Sequence, residues 1–316
     1  MTGGREMFGQ GDELLDLFDI DIEYIDNNRH YWLVRTEGGK FYSDFVRDNY
    51  VAIGWNEFLD HSNFIDKKMN ENMKERLLEA YPDNQPGRIY SQIRKFIQEI
   101  AVGDVVMIPN ENSQEISFGI VEGNLVNRKV EDENFIKSRN IKWLKTIYKD
   151  ELDPYLFKMM RAQQTINRAD EYAHFIDRTM YPFYKKGEES FLILPVKKEE
   201  DIPAYDLSNF INSLVDTIKL INRLEEEINY DLRDLDIKLN IQSPGFVELT
   251  SSAKDLVVKV LGILKNAMTE NQILSKEVLQ KTAPDKLRLL EEQENRIKRS
   301  FEEIKASLPD DLKDRT

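Results

Sequence analysis

"NYVAIGWNEF", residues 49–58, carries the reading of the first half of the chain. Four apolar residues in a row, Tyr50–Val51–Ala52–Ile53, predict a short buried strand, and Gly54 ends it. A bulky aromatic, Trp55, follows at once, and then Asn56. Two readings fit. In the first, Gly54 is a bulge and Trp55 caps a core. In the second, the missing side chain at Gly54 lets something flat approach the backbone while Trp55 stacks on it.

Upstream of this strand, "HYWLVRT" (residues 30–36) is aromatic and β-branched and runs into "EGG", a strand followed by a turn. "KFYSDFVRDN" then predicts one short helix capped by Ser43. Downstream, residues 57–84 read as solvated helix closed by the loop "YPDNQPG". "RIYSQIRKFIQEI" places Ile89, Ile93, Phe96, Ile97 and Ile100 at helical spacing. "AVGDVVMIP" and "EISFGIVEGNL" predict paired strands, "RNIKWLKTI" another strand, residues 150–180 helix, and "SFLILPV" a final strand. Short strands interleaved with helices imply a small curled sheet or barrel with helical insertions.

Beyond Val196 the pattern changes. Leu207, Ile211, Leu214, Ile218 and Ile221 mark a strong helix, "DIKLNIQSPGFVELT" a β-hairpin turning at Ser243–Pro244–Gly245, and "SSAKDLVVKVLGILKNAM" a helix opened by a Ser252/Asp255 capping box. A charged terminal helix turns Leu287, Leu290, Ile297, Phe301 and Ile304 inward. The expected organisation is an acidic segment 1–28, a first domain 29–198 and a helix–hairpin–helix domain 199–316, an α+β protein throughout.

The 316 residues hold no cysteine, which removes disulfides, thiolate metal sites and thiol nucleophiles. With no leader or spanning segment recognisable, a cytoplasmic protein without a membrane partner is expected. The net charge of −14 is unevenly spread. Residues 1–28 hold eight acids against Arg5 alone, whereas residues 29–198 balance 26 acids with 26 bases. A non-specific DNA binder needs a basic face, so any nucleic-acid binding here is selective or weak.

Chemical motifs are few. His30, His61 and His174 are isolated, and neither a phosphate-binding glycine loop nor a GxSxG elbow is present. "DLRDLDIKLNIQ" offers Asp231, Asp234, Asp236 and Lys238, a crowded set rather than the two-strand arrangement of a metal-dependent nuclease. The more suggestive set is aromatic: Tyr31, Trp32, Tyr42, Tyr50, Trp55 and Trp143, beside Arg35, Arg94, Arg128 and Arg139. Aromatic faces hold a flat base at about 1–3 kcal/mol per stacking contact. Alternation along "HYWLVR" also buries one face, so Trp32 fits core and ligand wall equally.

"YWLVRTEGGKFYSDFVRDNYVAIGWNEF", "IRKFIQEIAVGDVVMIP", "FGIVEGN", "IKWLKTIYKDELDP" and "QQTI" occur in this order over residues 29–180. The set resembles the N-terminal domain of bacterial Mrr-type restriction-system proteins, which is similar to the PUA-like superfamily with its EVE, YTH and ASCH members. The resemblance implies a β-barrel that recognises modified bases and is fused to an effector. Carried over, it puts Trp32 and Arg35 on the first strand, Gly54–Trp55–Asn56 on the second, Gly103–Asp104 at a turn, and Gly119 and Trp143 on later strands. The second half departs from it, because no nuclease metal-binding pattern is found there.

The expectation is therefore a non-enzymatic recognition component of a bacterial anti-phage or restriction system, binding modified or flipped bases in DNA. Trp32, Tyr50, Gly54, Trp55 and Asn56 form the base site, and Arg35, Arg94 and Arg128 meet phosphate. No cofactor or metal is required; an effector protein and a second copy of the chain are the expected partners. Two alternatives stay open: a degenerate endonuclease centred on Asp234, Asp236 and Lys238, and a nucleotide-sensing or protein-interaction module.

Overall fold

The computed structural model describes residues 22–127, 137–225, 229–240, 245–253, 255–269, 280 and 283–313. The protein is mixed α+β and divides into two compact units, Asn28–Met180 and a split unit formed by the residues up to Asn27 together with Tyr181–Thr316. Among the described residues no helix is long and apolar enough to cross a membrane.

Strand β1 (Glu23–Ile25) opens the described chain and belongs to the split unit. The Asn28–Met180 unit then runs β2 (Tyr31–Val34), α1 (Tyr42–Arg47), β3 (Tyr50–Ile53), α2 (Glu71–Ala80), α3 (Pro86–Arg94), β4 (Val105–Pro109), β5 (Glu115–Val121), β6 (Val126–Asn127), β7 (Lys137–Tyr148), α4 (Leu156–Met159), β8 (Ile166–Arg168) and α5 (Ala173–Met180). Its sheet is ordered β3-β7-β5-β4-β2-β8, with β6 also on β7. Among its described strands only β2 and β4 pair in parallel. The sheet curls, but among the described residues no pairing joins β3 to β8, so the expected barrel has an open seam.

Both faces of β2, β3 and β4 are covered, edge strand β3 included, and all three are therefore apolar along their whole length. Gly119 of β5 marks a close approach: a Cβ there would lie 2.4 Å from Ile141 Cγ2 and 2.7 Å from Trp143 Cε3. The ladder between β5 and β7 shifts register at Phe118/Gly119, which is where Trp143 packs. The Arg139 guanidinium is buried and donates to the carbonyls of Phe96 and Ile97, closing the π-turn that extends α3. Residues 57–84 are less helical than their composition suggests: α2 covers only their second half, after a short 3₁₀ turn at His61–Phe64. In residues 150–180, β8 interrupts the expected helix.

The split unit continues with β9 (Phe183–Lys186), β10 (Glu189–Val196), α6 (Ala204–Leu224), β11 (Asp236–Asn240), β12 (Gly245–Ser251), α7 (Leu256–Met268) and α8 (Pro284–Ile304). Its five strands lie in the order β1-β9-β10-β12-β11. "SFLILPV" is therefore not the last strand of the first unit. It is the centre of the second sheet, because Ser190–Val196 pair along their length with Gly245–Ser251. The expected boundary at residue 198 accordingly falls between Met180 and Tyr181, and part of the acidic N-terminal segment joins the second sheet as β1. The hairpin is present, with Asp236 opposite Thr250, while Ser243 and Pro244 of its turn lie outside the described residues.

Helix α7 is buried on every side from Leu256 to Ala267. Its polar residues are consequently satisfied inside the unit: Lys259 pairs with Glu225, and Asn266 donates to Glu294. Asp255 precedes the helix at φ 61° and makes no capping hydrogen bond with its side chain, so the expected capping box does not form.

Candidate functional site

At the open seam of the first sheet lies a cleft of about 660 Å³. Its walls come from both sides of the seam: Ala52, Ile53, Gly54 and Trp55 at the end of β3, and Arg35, Glu37 and Gly38 just past β2, the neighbour of β8. Tyr81 at the end of α2 and Ala162, Gln163 and Thr165 before β8 complete it. Its size is that of small-molecule sites, and it combines aromatic walls with a few polar groups.

Local conformation explains the odd sequence at residues 54–55. The strained backbone is at Trp55, with φ 57°, and not at the glycine. A Cβ added to Gly54 would meet nothing within 4 Å beyond its chain neighbours, so the cleft wall is open at this position. Glu37 (φ 49°) and Gly38 (φ 69°) are also left-handed, so two separate turns of that conformation border the cleft. Non-glycine residues held this way concentrate at ligand sites, because the surrounding fold must impose the conformation.

Three groups fix the walls. Lys137 Nζ donates to the Trp55 carbonyl at 2.8 Å, and the Phe58 amide donates to the same oxygen at 3.1 Å. The Tyr81 hydroxyl donates to Glu57, and the Tyr81 ring lies 6.4 Å from Phe58. Burial raises the Tyr81 hydroxyl well above its ordinary range and the Glu57 contact adds to this, while the same hydrogen bond holds Glu57 below the usual carboxylate range. Burial draws Lys137 down to about 8, with Glu57 acting in the opposite direction.

The expected site residues separate clearly. Gly54 and Trp55 line the cleft, Trp55 half-buried. Asn56 is half-buried beside them but is not among the lining residues. Trp32 and Tyr50 cannot be walls. Trp32 is 0% exposed, its indole N–H donates to Asp104 Oδ2 at 2.8 Å, and the Arg168 guanidinium lies over its ring. Tyr50 faces the core and packs edge-on against Phe45 at 4.9 Å. Among the arginines, Arg35 reaches the cleft, but its guanidinium donates to the carbonyls of Met160 and Ala162 and so anchors the loop before β8. Burial lowers its pKa. Arg94 is mostly buried and paired with Glu99, away from the cleft. Arg128 lies outside the described residues.

Tyr81, Glu57 and Lys137 were not expected. Tyr81 closes a helix that reads as solvated, and Lys137 reads as an ordinary surface lysine ahead of a strand. The one local signal is the "YPDNQPG" loop, which places an aromatic at a helix end (residues 81–87).

The acidic stretch of the second unit is arranged differently from a metal site. Asp234 accepts from the Asp231 amide, and Lys238 pairs with the buried Glu248 across the hairpin. Among the described residues no three His, Cys, Asp or Glu side chains converge to hold a metal ion.

A family model described as a domain of unknown function (DUF8426) matches residues 31–170, within the Asn28–Met180 unit. Among solved structures, the crystal structure of the MmI1 YTH domain is similar at 11% identity, with a TM-score of 0.27, over 48% of this chain and 94% of that one. No curated protein matches the chain.

Proposed function

We propose that the Asn28–Met180 unit is a PUA-like recognition module that takes a planar heterocycle, a nucleic-acid base out of its stack, into the cleft at Trp55. One observation carries this reading. Two aromatic side chains, Trp55 and Tyr81, border an open cleft whose wall carries no side chain at Gly54. Stacking supplies the affinity, and Gln163, Thr165 and Glu37 are the lining groups able to meet the polar edge of a base.

The even charge of residues 29–198 argues against a contribution from many phosphates. Extruding a paired base costs a few kcal/mol, so unpaired or modified nucleotides are the favoured ligands. The motif order that resembles the sensor domain of Mrr-type restriction proteins supports a non-enzymatic role in a bacterial anti-phage system, with the split unit docking an effector or a second copy.

Fluorescence titration with single-stranded DNA, duplex DNA and modified nucleosides tests the proposal. Expected is binding of unpaired or modified bases that weakens by about 10- to 100-fold in Trp55→Ala, the worth of one stacking contact. Equal affinity in wild type and Trp55→Ala would overturn it.

A further inference from the structure

The two aromatic walls of the cleft share one support behind them. Lys137 opens β7 opposite Ile53, is fully buried, and aims its ammonium at the carbonyl of Trp55. That carbonyl belongs to the residue held at φ 57°, where a tryptophan has no intrinsic tendency to stay. Glu57, two residues on, accepts from Tyr81 and attracts the Lys137 ammonium. Lys137 thus holds one end of the Trp55–Glu57 turn and Tyr81 the other, which ties the first wall to the second. An apolar side chain would fill the space of Lys137 without the cost of desolvating a charge. The ammonium is explained by what it holds in place.

We infer that Lys137 is the positioning residue of this cleft: it keeps Trp55 in its left-handed turn and, with the Tyr81–Glu57 hydrogen bond on the same turn, fixes the separation between Trp55 and Tyr81. The inference rests on the base-binding reading for its purpose, but its physical content can be measured without any ligand. Burial lowers the Lys137 amine to about 8, so the support loses its charge just above neutral pH. The groups acting on the amine are Glu57 from the loop after β3 and, through it, Tyr81 at the end of α2. Arg139, the nearest cation on the same strand, is committed to the carbonyls of Phe96 and Ile97.

The test uses the full chain labelled with 5-fluorotryptophan. Its three tryptophans give three fluorine resonances, that of Trp55 being assigned with Trp55→Phe. In the wild type the Trp55 resonance shifts with a midpoint near pH 8. In Lys137→Met that titration disappears and the resonance moves at neutral pH, while the Trp32 and Trp143 signals hold their positions. Glu57→Gln lowers the midpoint, because it removes the charge that favours the protonated amine. Affinity for a single-stranded oligonucleotide falls about tenfold in Lys137→Met through lost preorganisation.

A Trp55 resonance unchanged by Lys137→Met would overturn the inference. Should that variant not fold, an unmoved midpoint in Glu57→Gln would do so. A wild type that binds no oligonucleotide yet shows the Trp55 titration overturns the base reading and supports the positioning role.

Discussion

The indole N–H of Trp32 donates to Asp104 Oδ2 at 2.8 Å, and the same oxygen accepts from the Ala101 amide at 2.9 Å. Asp104 Oδ1 takes the His30 amide at 3.1 Å, so one buried carboxylate ties β2 to the turn before β4. This tryptophan serves the fold, while Trp55 borders the cleft. The two give opposite mutational signatures. Trp32→Phe costs about 1–3 kcal/mol of stability, from the lost bond and the partly unsatisfied carboxylate, and leaves ligand affinity unchanged in the folded fraction. Trp55→Ala removes affinity, at a stability cost limited to the half of its ring that packs against the core. Urea unfolding and titration on the same two variants check both halves.

Two glycines separate in the same way. Gly54→Leu places its side chain in open space and at an ordinary φ, so it folds but occupies the cleft and abolishes binding. Gly119→Ala drives a methyl to within 2.8 Å of the Lys142 carbonyl and closer still to Ile141 and Trp143. That overpacking costs about 1–3 kcal/mol. Melting temperatures and a binding assay distinguish the pair.

Stability rises with pH just above neutrality. Below about 8 the folded and unfolded chains both carry the Lys137 proton, and the cost of burying it is fully present. Above that value the folded protein gives up the proton, while the unfolded chain keeps it until about 10.5. The unfolded state then binds more protons, which favours folding as pH increases. The gain appears between about pH 8 and the onset of tyrosine ionisation near 10. There Tyr81, whose pKa is raised in the folded state, begins to act in the other direction. Denaturant midpoints measured across this window rise for wild type and stay flat for Lys137→Met.

In the split unit, Lys259 and Glu225 are both nearly inaccessible to solvent and paired, with the ammonium 5.7 Å from the centre of the Tyr230 ring. Lys259→Ala strands a buried carboxylate and costs about 3–5 kcal/mol. The double variant Lys259→Met/Glu225→Leu removes both charges and falls close to wild-type stability. Thermal unfolding of the three proteins measures the coupling.

Local pattern made much of this fold legible. The runs at Val105–Pro109 and Glu115–Val121 are β4 and β5, and the 3–4 spacing from Leu207 to Ile221 is α6. What pattern cannot carry is partnership. Nothing within "SFLILPV" says that it pairs with a strand some 50 residues later rather than with β7. Likewise Trp32 and Trp55 look alike in sequence, since Asp104, which seals the first, is 72 positions away. Lys137 lies 82 residues from the carbonyl it holds. Gly54 and Trp55 could be singled out because an aromatic directly after a strand-ending glycine is itself unusual.

Strand β1 ends at Ile25 beside Lys186 of β9, and the whole Asn28–Met180 unit intervenes between these neighbours. During synthesis the nascent N-terminal strand therefore waits for its partner while roughly 160 residues emerge, about 8–30 s at ordinary ribosomal speed. The intervening unit has all of its own strands by residue 168 and can mature first on the ribosome. Final assembly of the second sheet is then a closing step, in which an early segment recaptures the late half of its own chain.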